Sequence, residues 1–180
     1  SSANLLMMSA LKSKKLFNFP EGTKIITPVA GFPTTINPII QMGFKPVFVD
    51  VALPSLNLDL DQTEEVLKND PEIRAITFAH VLGNPPDMKR VMELVEKYNL
   101  VFLEDCCDGL GSFYDGKKLG SFGHISTCSF YPAHHMTMGE GGFVAMNNNK
   151  IRKTISSLRE WGRACYCNSM KPGCVVEGTA

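Results

Sequence analysis

The sequence predicts an α/β domain built around a mostly parallel sheet, and three observations support this prediction. Apolar segments of strand length alternate along the chain with segments of helical periodicity, which is typical of parallel βαβ units. The segment 100–103 is a short and continuous apolar run, as found in strands that are buried on both faces. The 180 residues of the chain suffice for one domain with a substantial core.

Hydrophobic pattern and turn residues divide the chain into strands and helices. The predicted strands are 24–30, 44–51, 73–79, 100–103, 125–131 and 143–146. The predicted helices are 1–13, 34–41, 58–68, 87–98 and 150–161. Asp59 is expected to cap the third helix, and Gly43 to close the second. The predicted buried face of the last helix consists of Ile151, Ile155, Leu158 and Trp161.

Composition and charge argue against two classes of partner. The 18 basic and 18 acidic residues give a net charge of +0, which offers no electrostatic basis for binding nucleic acid or an anionic membrane surface. No apolar run approaches the roughly 20 residues that a bilayer requires, and the first residues lack the pattern of a signal peptide. We therefore expect a cytoplasmic protein.

Reactive side chains follow two of the predicted strands at the point where each strand ends. The segment 104–107, Glu-Asp-Cys-Cys, directly follows the 100–103 run, and His134 and His135 follow the strand at 125–131. Carboxyl ends of parallel strands meet at one edge of a sheet, and α/β proteins bind their ligands there. The sequence therefore predicts a site at this edge that combines an acid, thiols and imidazoles.

The segment 129–142, Ser-Phe-Tyr-Pro-Ala-His-His-Met-Thr-Met-Gly-Glu-Gly-Gly, resembles a motif of the DegT/DnrJ/EryC1/StrS sugar aminotransferases. These enzymes have the pyridoxal-phosphate (PLP) dependent transferase fold of type I and act on nucleotide-linked 4-keto sugars. At the position of His134 they carry the lysine that binds the cofactor as a Schiff base. With histidine there, the chain resembles the branch of CDP-4-keto-6-deoxy-D-glucose 3-dehydrases, which use pyridoxamine phosphate (PMP) and a [2Fe-2S] cluster in 3,6-dideoxysugar biosynthesis. The resemblance runs from Ser1 to about Cys174.

The resemblance has consequences for the organisation of the chain. It implies a three-layer α/β/α large domain of fold type I in residues 1–162, followed at 163–180 by the cysteine-bearing start of a further segment. It places Ser1 inside a phosphate-binding turn, so we interpret this chain, which does not begin with methionine, as part of a longer enzyme. We expect no turnover from this part alone and a homodimer for the full-length protein.

The resemblance also assigns residues to the cofactor, pyridoxamine 5'-phosphate. The residues that it implies are Ser1, Ser2, Ala3, Phe32, Asp105 and Ser129. The turn at 1–3 and Ser129 would bind the phosphate, Phe32 would stack on the pyridine ring, and Asp105 would pair with the protonated ring nitrogen. From the pattern alone, the serines at 1–2 could instead only cap a helix, and Ser129 could bond to backbone at the end of its strand.

His134 is the residue for which the resemblance implies a change of reaction. Histidine cannot form an imine, but its unperturbed pKa of about 6.5 suits general base catalysis. We expect His134 to take a proton from the noncovalently held cofactor, after which the sugar loses its C3 hydroxyl group. His135 would point the other way on an extended segment and is interpreted as structural. Lys117 and Lys118 lie beside a predicted Asp-Gly hairpin turn and are poor candidates for the missing lysine.

Four cysteines match the spacing of the iron-sulfur members of this branch. These are Cys107, Cys165, Cys167 and Cys174. On an extended backbone the sulfurs of Cys165 and Cys167 would lie on one side, with α carbons about 6.6 Å apart, so both could bind one iron. Four thiolates suit zinc equally well, and ordinary free cysteines are a further alternative. The combination with His134 favours iron, because loss of the C3 hydroxyl leaves an adduct that needs single electrons. Cys106 and Cys128 are interpreted as buried core thiols.

The implied partners are a nucleotide-linked 4-keto sugar and a reductase that contains flavin and an iron-sulfur centre and uses NADH. Three alternatives are a PLP-dependent nucleotide-sugar aminotransferase, a cluster-free PMP dehydratase, and a noncatalytic zinc-binding module. Asp108 stands where many of these aminotransferases have glutamine, and its role is left open. His80 is interpreted as an imidazole that packs in a loop.

Overall fold

The computed structural model describes residues 1–163, so Cys165, Cys167 and Cys174 lie outside the described residues. Its helices are α1 (Ser2–Leu11), α2 (Pro33–Gln41), α3 (Leu60–Asn69), α4 (Met88–Lys97) and α5 (Asn149–Arg159). Its strands are β1 (Lys24–Pro28), β2 (Lys45–Val49), β3 (Val51–Ala52), β4 (Asn57–Leu58), β5 (Ile73–Ala79), β6 (Val101–Asp105), β7 (Phe113–Tyr114), β8 (Lys117–Lys118), β9 (Ile125–Ser129) and β10 (Gly142–Ala145). No helix among the described residues has the length and apolarity needed to cross a bilayer.

The main sheet of the described residues has six strands in the order β10-β9-β6-β5-β1-β2. Every neighbouring pair is parallel except β10 and β9, which run antiparallel. The short strands form two small antiparallel pairs, β3 with β4 and β7 with β8. The mostly parallel α/β sheet that the alternation of patterns predicts is confirmed.

The sheet is covered by helices on both faces. Along β6, Val101 and Leu103 belong to one apolar cluster and Phe102 to another, because successive side chains of a strand point to opposite faces. The first cluster contains the buried residues of α1, α2 and α5, and the second contains those of α3 and α4. This is the expected three-layer α/β/α arrangement.

Local sequence explains where several helices begin. The Asp59 carboxylate accepts hydrogen bonds from the N–H groups of Asp61 and Gln62, which confirms the predicted cap of α3. Asn148 caps α5 in the same way. Pro33 is the first residue of α2, where its fixed φ suits the helix and its missing N–H costs nothing.

The last helix differs from the prediction at its carboxyl end. Ile151 and Ile155 are buried as expected, but Leu158 is 37% and Trp161 is 81% exposed. The helix ends at Arg159, and Trp161 has a left-handed φ of 59°, so the helical spacing does not continue to it. The prediction that Trp161 lies on the buried face is wrong.

Three predicted strands are shorter than their apolar patterns, and the one predicted at 24–30 ends at Pro28. The predicted strand at 44–51 divides into β2 and β3, and the one at 125–131 ends at Ser129. The predicted hairpin is confirmed: Asp115 and Gly116 have φ values of 48° and 76° and connect β7 to β8, as an Asp-Gly turn does.

Candidate active site

A cavity of about 1050 Å³ lies at the carboxyl edge of the sheet. The start of α1, the residue before α2, the ends of β6 and β9, and one side of α5 surround it. Parallel strands bring these ends together at one edge, as the sequence predicted. The predicted site residues that the structure describes all line this cavity: Ser1, Ser2, Ala3, Phe32, Asp105, Cys107, Ser129 and His134.

Asp105 is the buried acid of the cavity, with 2% of its surface exposed. Its Oδ2 atom accepts hydrogen bonds from the Asn4 amide at 2.8 Å and from the Thr35 hydroxyl at 2.9 Å. Its Oδ1 atom accepts the backbone N–H of Cys107 at 3.2 Å. These donors offset the cost of removing a carboxylate from water.

Asn4 and Thr35 are site residues that the sequence reasoning missed. A signal for Asn4 was present, because it shares one helical face with Met8 and Leu11, which are both fully buried. An amide on that face must have polar partners. The partner itself could not be foreseen, because Asp105 is 101 residues away along the chain.

The first turn of α1 is open to the cavity. Ser1 occupies the N-cap position but makes no side-chain cap hydrogen bond, so the interpretation of these serines as mere caps is not supported. The first N–H groups of a helix have no partner within the helix, and they attract anions. Ser1 and Ser2 are both exposed, so an anion could reach this turn.

Phe32 and Ser129 lie on other sides of the same cavity. Phe32 precedes α2 with an extended backbone and is 71% exposed, so its ring is not part of the core. The Ser129 hydroxyl accepts the N–H of Tyr131 at 3.2 Å, which matches the backbone-bonding alternative. Its own O–H can still donate a hydrogen bond to a ligand.

His134 lies on a turn after β9. The backbone N–H of His134 donates to the carbonyl of Tyr131 at 3.0 Å. The Nδ1 atom of its ring is 3.5 Å from Oδ1 of Asp108. Because Nδ1 faces this carboxylate, Nε2 is the ring nitrogen left for exchanging a proton with a ligand. The expectation of an extended segment is wrong, since 132–136 forms turns and bends. His135 is exposed and does not line the cavity.

The thiols divide as the sequence predicted. Cys106 and Cys128 are buried, with 5% and 1% of their surfaces exposed. Cys107 lines the cavity and is only partly buried. Burial raises the pKa of the Cys107 thiol strongly, and the negative charge of Asp105 adds to this effect. Without a bound cation, such a thiol is a poor nucleophile at neutral pH.

Glu104 points away from the cavity and holds a loop in place. It is fully buried, and it accepts N–H groups of Gly120 and Phe122, both at 2.8 Å, and of Gly123. Its Oε2 atom is also 3.0 Å from Nε2 of His80. Burial raises the pKa of Glu104, but the bonds from His80 and from the backbone outweigh burial and the net shift is downward.

His80 therefore packs in its loop as expected, and it also joins two strand ends. The backbone N–H of His80 donates to the carbonyl of Asp105 at 3.1 Å. Ligand atoms of His80, Glu104 and Cys106 lie within 4.8 Å of one another. The Glu104 oxygens already accept hydrogen bonds from three backbone N–H groups and face His80. We interpret the group as a structural clamp.

The described residues that line the cavity include arginines but no lysine. Arg152 and Arg159 approach it from α5, and neither can form an imine with an aldehyde cofactor. His134 is therefore the basic residue that the segment after β9 contributes to the cavity lining.

The chain is similar to known proteins over nearly its whole length. A sequence profile of the DegT/DnrJ/EryC1/StrS aminotransferase family matches residues 1–173. The lipopolysaccharide biosynthesis protein RfbH of Salmonella typhimurium is 50% identical over 97% of this chain and 39% of its own length. The dTDP-4-dehydro-2,6-dideoxy-D-glucose 3-dehydratase of Saccharopolyspora spinosa is 46% identical over 93% of this chain and 36% of its own.

A solved structure shows the same fold. The GDP-4-keto-6-deoxy-D-mannose-3-dehydratase of E. coli with bound hydrated PLP has a TM-score of 0.83 and 30% identity, over 88% of this chain and 40% of that one. The chain thus spans about two fifths of the length of these relatives. The fold type that the sequence motif implied is confirmed. The chain belongs to the DegT/DnrJ/EryC1/StrS aminotransferase family.

Proposed function

We propose that this chain is part of an enzyme that uses PMP to remove the C3 hydroxyl group of a CDP-linked 4-keto-6-deoxyhexose. The observation that carries the proposal is His134 at the cavity, together with the absence of lysine among the described residues that line it. An aminotransferase of this fold depends on a lysine that binds the cofactor covalently and then moves protons. Histidine can only move protons.

The cavity has a suitable group for each part of the cofactor. Asp105 is a buried carboxylate, which would pair with a protonated pyridine nitrogen. The exposed ring of Phe32 would stack on the pyridine. The open first turn of α1, residues 1–3, and the hydroxyl of Ser129 would bind the phosphate.

Bound PMP supplies an electron-withdrawing ring that makes the hydrogens on its methylene carbon acidic. His134 would accept a proton from this carbon at Nε2. The carboxylate of Asp108, 3.5 Å from Nδ1, compensates the positive charge that the imidazole then carries. His134 can return the proton to the hydroxyl group that leaves C3, so that water departs and the sugar loses one oxygen.

We further propose that Cys107, Cys165, Cys167 and Cys174 hold a [2Fe-2S] cluster, which would supply single electrons after the loss of water. The position of Cys107 beside Asp105 in the cavity supports this proposal. The raised pKa of its thiol is compatible with ligation, because a bound metal deprotonates a coordinating thiol. A flavin- and NADH-dependent reductase would be the electron donor, and we expect a cytoplasmic homodimer.

The similar proteins support assignment as a 3-dehydratase, but they act on sugars linked to different nucleotides. Two of the relatives are named as 3-dehydratases of dTDP- and GDP-linked sugars. The proposal of a CDP sugar rests on the form of the 129–142 motif. We also propose residues 1–162 as the cofactor-binding large domain and 163–180 as the start of the next segment.

The proposal can be tested with the intact protein, purified without oxygen. With PMP, the CDP-linked 4-keto-6-deoxyhexose and a reducing partner, we expect a product that lacks the C3 hydroxyl, and iron with inorganic sulfide in the protein. His134→Asn keeps a similar shape but cannot take the proton, so turnover should fall by about 10²–10⁴-fold while cofactor binding persists. An amino sugar formed from glutamate and PLP would contradict the reaction. Zinc without iron would contradict the cluster.

A further inference from the structure

The Asn4 side chain makes three hydrogen bonds at the site, and no step of the proposed reaction uses it. It is 3% exposed. Its amide Nδ2 donates to Oδ2 of Asp105 at 2.8 Å and to the carbonyl of Thr34 at 2.9 Å. Its Oδ1 accepts the hydroxyl hydrogen of Thr127. These partners fix which way the amide faces, because both of its hydrogens have acceptors and its oxygen has a donor.

These bonds join four elements that surround the cavity. Asn4 itself belongs to α1, Thr34 to α2, Asp105 to β6 and Thr127 to β9. Asn4 lies within the first turn of α1, whose N–H groups are open. Asn4 therefore sets the position of the buried carboxylate relative to the turn that would bind a phosphate.

Asn4 also determines which oxygen of Asp105 is available to a ligand. Oδ2 accepts two hydrogen bonds, from Asn4 and from the hydroxyl of Thr35, which occupy both of its lone pairs. Oδ1 accepts the backbone N–H of Cys107. Because both lone pairs of Oδ2 are occupied, Oδ1 is the oxygen that a protonated ring nitrogen would meet.

We propose that Asn4 is a positioning residue that orients the side chain of Asp105, so that Oδ1 is presented to the ring nitrogen of the bound cofactor. The inference rests on the proposed function and deepens it. A leucine at this position would fill a similar volume. It would also remove one donor from Asp105 and the acceptor of Thr127, so the carboxylate could rotate.

The test measures binding and the spectrum of bound cofactor in the intact protein, with PMP as the probe. For Asn4→Leu we expect PMP to bind at least about tenfold more weakly, because the variant loses one hydrogen bond to a charged group. We also expect the absorbance change that reports the ring nitrogen to occur at lower pH, because a misplaced carboxylate stabilises the protonated ring less. Thr35→Val removes the other donor to Oδ2. It should weaken PMP binding and lower the pH of the absorbance change, in both cases by less than Asn4→Leu does.

Asn57→Leu is the matched control. Asn57 is also a buried asparagine, with 5% of its surface exposed, but its Nδ2 atom has no hydrogen-bond partner and it lies away from the cavity. We expect Asn57→Leu to leave the affinity for PMP and the spectrum unchanged. A merely structural role for Asn4 would lower the stability of Asn4→Leu and likewise leave the spectrum unchanged. If Asn4→Leu has the spectrum and the affinity of the unaltered protein, the inference about Asn4 is wrong and the proposed function still stands. If Asn4→Leu does not fold, the same result for Thr35→Val leads to the same conclusion. Failure of the unaltered protein to bind PMP would overturn the proposed function as well.

Discussion

Replacing Glu104 by glutamine should destabilise the protein strongly, although one atom changes. The carboxylate is fully buried and accepts the N–H groups of Gly120, Phe122 and Gly123 as well as Nε2 of His80. A glutamine has one acceptor oxygen and one NH₂ group. If its oxygen serves two of the backbone N–H groups, its NH₂ group must face the remaining donors.

The magnitude follows from these contacts. His80 can switch its proton to Nδ1 and accept a bond from the new amide, but the third backbone N–H is left unpaired. An unpaired buried donor costs about 1–3 kcal/mol, and bonds to a neutral amide are weaker than bonds to a carboxylate. The smaller desolvation of an amide offsets part of this loss. We expect Glu104→Gln to lower the free energy of unfolding by about 3 kcal/mol, or the melting temperature by about 6–10 °C.

The effect should depend on pH in one direction. The pKa of Glu104 is lowered below its ordinary value of 4.5 in the folded protein. Its contribution to stability is therefore complete above pH 4.5 and is lost as the pH falls through the folded value. The difference between the unaltered protein and Glu104→Gln should be the same at pH 7 and at pH 6, and it should shrink in stronger acid.

Urea unfolding followed by circular dichroism measures this difference. Glu72→Gln is the matched control, because Glu72 pairs with Lys24 at 2.8 Å but its side chain is 75% exposed, and exposed ion pairs add little stability. We expect the control to match the unaltered protein. Equal stability of the two glutamine variants at pH 7 would contradict the interpretation of Glu104 and His80 as a structural clamp.

Two further predictions concern the surroundings of the site. Gly123→Ala should destabilise the protein by more than about 2 kcal/mol, since the new Cβ would lie 2.8 Å from the carbonyl oxygen of Phe102. Gly31→Ala is its control, with no atom within 4 Å. Asp87→Ala should lower the free energy of unfolding by about 1 kcal/mol at neutral pH through loss of the α4 cap. The Tyr114 hydroxyl lowers the pKa of Asp87, so this difference should fade in acid; an acid-independent difference would contradict the assignment.

The fold could be predicted because its determinants are local. The alternation of strand and helix patterns specifies a parallel sheet, and the cap at Asp59 needs only the next three residues. The position of the site follows as well, because the strand before Asp105 and the strand before His134 end at the same edge. The failure at Trp161 is also local: a left-handed residue ends the helical spacing.

The network around Asp105 could not be predicted, because its bonds join distant parts of the chain. Asn4 lies 101 residues from Asp105 and 123 from Thr127. No periodicity in the sequence relates such positions; only the packing of α1 against the sheet brings them together. The same holds for the contact between His134 and Asp108, since the sequence left the role of Asp108 open.

The proposed replacement of the cofactor-binding amine by an imidazole can be tested by covalent trapping. The intact protein is incubated with one equivalent of PLP, reduced with borohydride, and analysed by peptide mass spectrometry. We expect no single lysine of the unaltered protein to carry a stoichiometric pyridoxyl group, and we expect one on residue 134 of the His134→Lys variant, which restores an amine after β9. A stoichiometric pyridoxyl group on one lysine of the unaltered protein would contradict the proposal.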